Sequence, residues 1–215
     1  MVQMPLNKYI AQAGFCSRRK AVAYIQQKKV VVNGEVITEP GYKVSSTDTV
    51  VVDGVSLEQR EMVYILLNKP KDCVSTVSDE RGRTTVLDVI AGATTERVYP
   101  IGRLDRNSTG VLLLTNDGAL AQRLSHPKYE VQKVYQVTLD LPLGKKDFDH
   151  IKKGVVLDDG LVKVDAISYG LSKKKLTIVL HSGKYRIIRR LFEALGYKVT
   201  ALSIVTGKQI GRAHV

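Results

Sequence analysis

The first thirty residues carry apolar side chains at helical spacing and predict two short helices. Residues 5–12 form the first helix, which Gly14 ends because glycine readily adopts the conformation that follows a helix. The second helix is predicted over residues 18–28. Ser17 stands immediately before it, where a serine hydroxyl accepts a free N–H of the first turn, and is therefore its predicted N-cap.

Three consecutive cations, Arg18, Arg19 and Lys20, stand at the start of the second predicted helix. The free N–H groups and the dipole of a helix N-terminus favour anions, and guanidinium groups add paired hydrogen bonds to phosphate. This segment therefore has two interpretations, a solvated helix start or a phosphate-binding surface.

A change from helical to alternating spacing follows and predicts strands. The β-rich runs 30–32 and 35–37 flank Asn33-Gly34, a pair typical of a tight hairpin turn because both residues accept positive φ. A further strand is predicted over residues 49–52. The polar stretch 57–61 then reads as a linker, which divides the chain into domains 1–57 and 62–215.

The larger region mixes strands and helices without a regular alternation of the two. Strands are predicted at residues 62–67, 111–114, 135–139 and 176–180, and helices at residues 118–125 and 186–195. This order favours an α+β fold with a mostly antiparallel sheet and flanking helices.

The charge balance gives information about the partners of the protein rather than about its fold. The 215 residues include 33 Lys and Arg against 21 Asp and Glu, a net charge of +12, as expected of a protein that meets phosphate backbones. Charge alone leaves an ordinary basic protein equally open. A DNA-binding protein is disfavoured, because the sequence has no recognition helix or dimer motif.

Several classes of protein are not supported by the sequence. No apolar run approaches the roughly 20 residues of a membrane span, and the N-terminus lacks the profile of a signal peptide, so we expect a cytoplasmic protein without a membrane partner. Cys16 and Cys73 are expected to be reduced thiols. No Cys or His pair has metal-ligand spacing, so no structural zinc is expected.

One segment combines special backbone positions with an isolated acid. Gly102 and Gly110 bound a stretch in which Asp105 lies between Arg103 and Arg106, directly before an apolar strand. A loop held by a strand is a suitable place for a catalytic group. From this segment alone, Asp105 is either such a group or an ion-pair partner of a neighbouring arginine.

Two later segments carry further candidates. Tyr135 shares a strand face with Val137 and Leu139, so its ring is predicted to point inward, either as a core residue or as a surface that stacks on a base. Four cations fall within residues 184–190. Those at positions 186, 189 and 190 have the spacing of one helix face, which favours a role towards phosphate or carboxylate.

Together these segments resemble the RsuA/RluB group of pseudouridine synthases over about residues 4–200. The resemblance is carried by Gly102-Arg103-Leu104-Asp105 with Thr109-Gly110, Leu112-Leu113-Leu114-Thr115-Asn116-Asp117-Gly118, Lys133-Val134-Tyr135-Gln136-Val137 and the helix of Arg189. Residues 4–52, with Cys16-Ser17-Arg18-Arg19-Lys20-Ala21 and Val32-Asn33-Gly34, resemble the alpha-L RNA-binding domain.

The resemblance implies isomerisation of a uridine in ribosomal RNA without a cofactor, metal or nucleotide. It implies that Asp105 is the essential carboxylate, as a nucleophile or as a base. Tyr135 is then the ring packed on the target base, and Arg189 is the active-site cation. The RNA-binding residues expected with them are Arg18, Arg19, Lys20, Arg103, Arg106, Lys184, Arg186 and Arg190.

The target and the oligomeric state are expectations of the same kind. The sequences of residues 102–118 and 125–131 are more similar to the large-subunit branch than to the small-subunit branch. We also expect a monomer. A small-subunit target and a non-catalytic RNA-binding or ribosome-assembly factor are the alternatives. The sequence departs from the group at Asn107, at Ile187 and in the tail Ser203–Val215, and no site residue is assigned beyond Leu202.

Overall fold

The computed structural model describes residues 3–207, and the chain divides into two compact units. The first unit contains the residues up to 64 together with the short segments 92–98 and 115–118. The second unit contains residues 65–91, 99–114 and those from 119 onward. The two short segments lie within the predicted domain 62–215, so the boundaries read from the sequence stay a prediction.

The first unit begins with the two predicted helices and continues with short strands. Its elements are β1 Met4–Pro5, α1 Leu6–Gln12, α2 Arg18–Gln26, β2 Val30–Val32, β3 Glu35–Val36, β4 Lys43–Val44, β5 Val50–Val52 and β6 Val55–Ser56. The Ser17 hydroxyl accepts the Lys20 backbone N–H at 3.2 Å, which confirms the predicted N-cap. Leu6, Ile10 and Ile25 are fully buried and anchor the core of this unit.

Two tight turns build its antiparallel sheet, whose order is β3-β2-β5-β6. The predicted turn at Asn33-Gly34 has φ of 51° and 89°. An equivalent turn at Asp53-Gly54, with φ of 50° and 83°, adds strand β6, which the sequence analysis did not predict. Both turns place residues that tolerate the left-handed region where the chain must reverse.

Residues 61–63 are held in the first unit by the segment Thr115-Asn116. The Asn116 side chain accepts the Val63 N–H at 2.8 Å and donates to the Glu61 carbonyl at 2.7 Å. The Thr115 hydroxyl donates to the Val63 carbonyl at 2.6 Å. Three bonds to backbone therefore fix a stretch that follows the predicted linker, and they give this part of the Thr-Asn-Asp-Gly motif a structural role.

The second unit is built on a mixed sheet. Its elements are β7 Tyr64–Lys69, α3 Val86–Val89, β8 Tyr99–Pro100, β9 Thr109–Thr115, α4 Gly118–Ser125, β10 Lys133–Leu139, α5 Lys145–Lys153, β11 Val155–Leu157, β12 Gly160–Val162, β13 Ala166–Tyr169, β14 Lys175–Leu180, α6 Ile187–Glu193 and β15 Val199–Gly207. Within residues 3–207 the strand order is β13-β14-β10-β15-β9-β7, with β8 on β9. Strands β13, β14, β10 and β15 are antiparallel neighbours, whereas β15 and β9 are parallel, so the predicted α+β class is confirmed.

A close backbone contact explains Gly110, the residue that ends the loop of Asp105. Gly110 lies in register with Ile204 of β15 at φ +108°, and a Cβ there would lie 2.0 Å from the Ile204 carbonyl oxygen. Only glycine permits this parallel pairing. Strand β15 thus contains residues 203–207 of the tail that departs from the resemblance, while residues 208–215 lie outside the described residues.

Helices α5 and α6 cover the sheet and complete the core of the second unit. Ile151 of α5 and Leu191 and Phe192 of α6 are fully buried in a cluster with Val137 and Ile178 of the sheet. The predicted inward face of β10 is therefore the core face near Val137. Within residues 3–207, no helix combines the length and the apolar character needed to cross a membrane.

Candidate active site

The loop between β8 and β9 presents Asp105 at the surface of the second unit. Gly102 has φ +78°, and the Ser108 N–H donates to the Asp105 carbonyl at 3.0 Å, which closes a turn around the acid. The loop then leads directly into β9, whose first residues pair with β15. A short loop fixed at both ends holds its side chains in a defined place, as the sequence predicted for this segment.

Asp105 is paired with Arg189 and not with an arginine of its own loop. The Arg189 Nε lies 3.8 Å from the Asp105 Oδ2, and its Nη1 donates to the Val199 carbonyl at 3.1 Å. The Asp105 side chain is 38% exposed and that of Arg189 is 15% exposed. Arg106 instead pairs with Asp72 at 3.1 Å. The structure thus brings together two of the three predicted catalytic residues.

Tyr135, the third predicted catalytic residue, is half-buried on β10, where the charge of the Asp105 carboxylate acts on its phenol. Burial and then the negative charge of Asp105 raise the pKa of Tyr135 to about 12. At neutral pH the phenol is therefore protonated, and it presents an apolar ring and a hydrogen-bond donor. A phenol in this state is poorly suited to act as a base near neutral pH.

A cavity of about 400 Å³ lies between Asp105 and Tyr135. Asp105 and Tyr135 line it together with Ile187 at the start of α6, Leu202 on β15 and Ile204 beside Gly110. This volume lies within the range of roughly 300–1,000 Å³ that is typical of small-ligand sites. Ile187, an apolar residue at a position where this sequence departs from the RsuA/RluB group, forms part of the wall and is 5% exposed.

The predicted common face of the arginines near α6 is wrong. Arg186 precedes the helix at φ 46° and ion-pairs with Glu193 at 3.6 Å, so the i, i+3 relation to Arg189 does not hold. Arg190 donates to Asp158 and Asp159, whose hydrogen bonds hold the pKa of Arg190 above its usual range. Of the three, Arg189 is the one that ion-pairs with Asp105, while Arg186 lines the same cavity as Asp105.

The remaining predicted RNA-binding cations lie at several places. Lys184 lines the cavity, and its ammonium donates to the Asp159 carbonyl at 2.7 Å. Arg103 lines the same cavity and is exposed. Arg18, Arg19 and Lys20 are exposed at the start of α2 in the first unit.

Comparison with known families identifies both parts of the chain. The family described as RNA pseudouridylate synthase matches residues 63–194, and the S4 domain matches residues 4–50. The chain belongs to the RNA pseudouridylate synthase family. The N-terminal match falls on the segment that resembles the alpha-L RNA-binding domain.

Relatives of this synthase match across both parts of the chain. A Bacillus subtilis protein named ribosomal large subunit pseudouridine synthase B is 43% identical, covering 92% of this chain and 82% of its own. A Xanthomonas campestris protein of the same name is 38% identical, covering 92% of this chain and 42% of its own. A crystal structure of a pseudouridylate synthase is 28% identical with a TM-score of 0.64, covering 94% of this chain and 87% of the other.

Two residues that hold the Asp105 loop of the synthase were missed by the sequence analysis. The Lys69 side chain is fully buried, and its ammonium donates to the carbonyls of Asp105, Arg106 and Ser108 at 3.0–3.3 Å, and to that of Pro70. The Ser75 hydroxyl donates to the Leu104 carbonyl and accepts its N–H. The available signal was the position of Lys69, which continues the inward alternation of β7 before Pro70.

Proposed function

We propose that this enzyme converts a specific uridine of large-subunit ribosomal RNA to pseudouridine, with Asp105 as the essential carboxylate. Family membership supports the reaction, and the printed names of the Bacillus subtilis and Xanthomonas campestris relatives support the large subunit as the target. The observation that carries the assignment of the site is the position of Asp105 and Tyr135 on the wall of one cavity, with the Asp105 carboxylate ion-paired to Arg189.

The reaction rearranges the substrate without adding or removing atoms. The bond between the ribose and the uracil nitrogen N1 breaks, the base turns, and a bond from the ribose to C5 forms, while C5 loses a proton and N1 gains one. Asp105 acts either as the nucleophile or as the base that removes a ribose proton. Both roles require an ionised carboxylate, and Arg189 supplies the opposite charge beside it.

A uridine within a folded RNA must leave its stack to reach Asp105. Unstacking costs a few kcal/mol, which contacts inside the enzyme must offset. The Tyr135 ring is placed to supply one of them by packing against the extruded uracil, and the apolar wall of Ile187 and Leu202 excludes water around it. The cavity thus serves as the proposed binding site of the flipped base.

The aromatic ring of Tyr135, rather than its hydroxyl, is expected to hold the base. Tyr135→Leu removes the ring and should weaken RNA binding about 5- to 150-fold, since stacking contributes roughly 1–3 kcal/mol per base. Tyr135→Phe keeps the ring and should bind as the wild type does. Equilibrium binding to a substrate RNA measures both variants, and an equal loss in both would contradict the stacking role.

The exposed cations of the S4 domain complete the proposal. We place Arg18, Arg19 and Lys20 against RNA phosphates, because the N-terminus of α2 and its three charges favour anions. Arg103, Arg106, Lys184, Arg186 and Arg190 are proposed as further phosphate contacts. We further propose that the active form is a monomer that works in the cytoplasm, where ribosomes are assembled.

Mapping pseudouridine in ribosomal RNA tests the proposed function directly. RNA from cells with and without this enzyme is compared at nucleotide resolution, and we expect one large-subunit uridine to lose its modification when the enzyme is absent. Restoring the enzyme should restore that position. A lost position in small-subunit RNA would contradict the proposed target, and identical maps would contradict the proposed function.

A further inference from the structure

Lys133 is a charged residue of the cavity to which the proposed function assigns no role. It is the first residue of β10, in register with Leu180 on one side and Gly207 on the other. Because it stands two positions before Tyr135, both side chains lie on the same face of the strand. Both line the cavity together with Asp105.

Among the residues that the structure describes, no acid pairs with Lys133, whereas acids pair with several of the cations near it. Arg189 is paired with Asp105, Lys184 with Asp159, and Arg186 with Glu193. Lys133 is half-buried, and within residues 3–207 its ammonium has no ion-pair or hydrogen-bond partner. Burial lowers the pKa of Lys133. A partly buried cation without a counter-ion is unfavourable, so this position gains from an anion that enters the cavity.

We infer that the Lys133 ammonium binds a backbone phosphate of the nucleotide that occupies the cavity. The inference rests on the proposed function, which brings RNA to this site. A phosphodiester is the group of a uridine nucleotide that is charged near neutral pH, whereas the uracil carbonyls are neutral. Lys133 thus fixes the backbone beside the flipped base, while Asp105 and Arg189 face the reacting bond.

The alternative is that Lys133 only packs its aliphatic stem and extends its ammonium into solvent. Lys133→Met keeps most of the stem and removes the charge, and Lys133→Arg keeps a charge. Lys175→Met is a matched control, because Lys175 is exposed on the adjacent strand β14, opposite Thr138. All three variants are first compared with the wild type in thermal unfolding, so that altered folding is recognised.

Binding and single-turnover rates are measured with an RNA fragment that contains the target uridine. Lys133→Met should weaken binding about 10- to 100-fold, the scale of a lost hydrogen bond to a charged group. The rate constant at saturating RNA should stay near that of the wild type, because the contact is equal in the ground and transition states. Lys133→Arg should recover most of the affinity, and Lys175→Met should have no effect.

A neutral linkage in the RNA identifies the phosphate. With a methylphosphonate on the 5′ or the 3′ side of the target uridine, one of the two RNAs should bind the wild type as weakly as the normal RNA binds Lys133→Met. Combining that RNA with Lys133→Met should cause no further loss of affinity, since both changes remove the same contact. Fully additive losses, or normal binding by Lys133→Met, would overturn the inference. Isomerisation by the wild type in the same assay tests the proposed function separately, because the binding comparison does not depend on turnover.

Discussion

Asp105→Asn is expected to abolish pseudouridine formation while RNA affinity stays close to that of the wild type. Asparagine has nearly the same shape as aspartate but carries no charge, so it is neither a nucleophile nor a base. Losing a general base slows enzymes by about 10²- to 10⁴-fold, and losing a nucleophile slows them by up to about 10⁶-fold. Single-turnover assays on the target RNA measure the rate, and an equilibrium binding assay measures the affinity.

Asp72→Asn is the matched control for this substitution. Asp72 is a nearby aspartate whose side chain is 71% exposed and pairs with Arg106, also largely exposed. Exposed ion pairs of this kind contribute about 0–1 kcal/mol, so this variant should fold and react as the wild type does. Product formation by Asp105→Asn at the wild-type rate would remove the carboxylate from the proposed chemistry, whatever the control does.

The local elements were predictable because their signals lie within a few residues of one another. Ser17 before α2, the Asn33-Gly34 turn and the helix Gly118–Ser125 each follow from a cap, a turn pair or a helical period. These signals act through neighbouring backbone groups. The sequence therefore located most of the elements that carry the candidate site, including the strand of Tyr135.

The contacts that assemble the site are long-range and were not predictable by pattern alone. Asp105 lies among arginines in the sequence, yet its ion-pair partner is Arg189, which the pairing of distant strands and the packing of α6 bring to the loop. Arg186 fits a helix face by spacing but adopts a left-handed conformation before the helix begins. Spacing predicts a common face only where the helix already includes both residues.

The burial of Lys69 was not predictable from the sequence either, because a lysine is rarely expected in a core. Its ammonium is fully buried against carbonyls of the Asp105 loop, and burial lowers the pKa of Lys69 while the negative charges of Asp105 and Asp72 act in the opposite direction. The contribution of the ammonium is to hold the backbone of the loop in place. It gathers the backbone of residues 105–108 around one point and so determines where the Asp105 side chain stands.

Lys69→Met is therefore expected to reduce both stability and catalysis. The variant keeps a long side chain but leaves the loop carbonyls without their donor, and leaving a buried polar group unsatisfied costs about 1–3 kcal/mol. With the loop released, displacement of the carboxylate by about 1 Å should slow isomerisation about 100-fold. Thermal unfolding measures the first effect, and single-turnover assays well below the unfolding temperature measure the second.

Two controls separate the positioning of the loop from the loss of stability. Lys71→Met changes an exposed lysine two residues away and should alter neither property. Ile151→Ala removes a fully buried side chain of α5 and should cost about 2–5 kcal/mol, a loss similar to that of Lys69→Met. If the loop contacts of Lys69 determine catalysis, Ile151→Ala retains the wild-type rate at low temperature while Lys69→Met does not. Equal rates in these two destabilised variants would show that Lys69 serves stability alone.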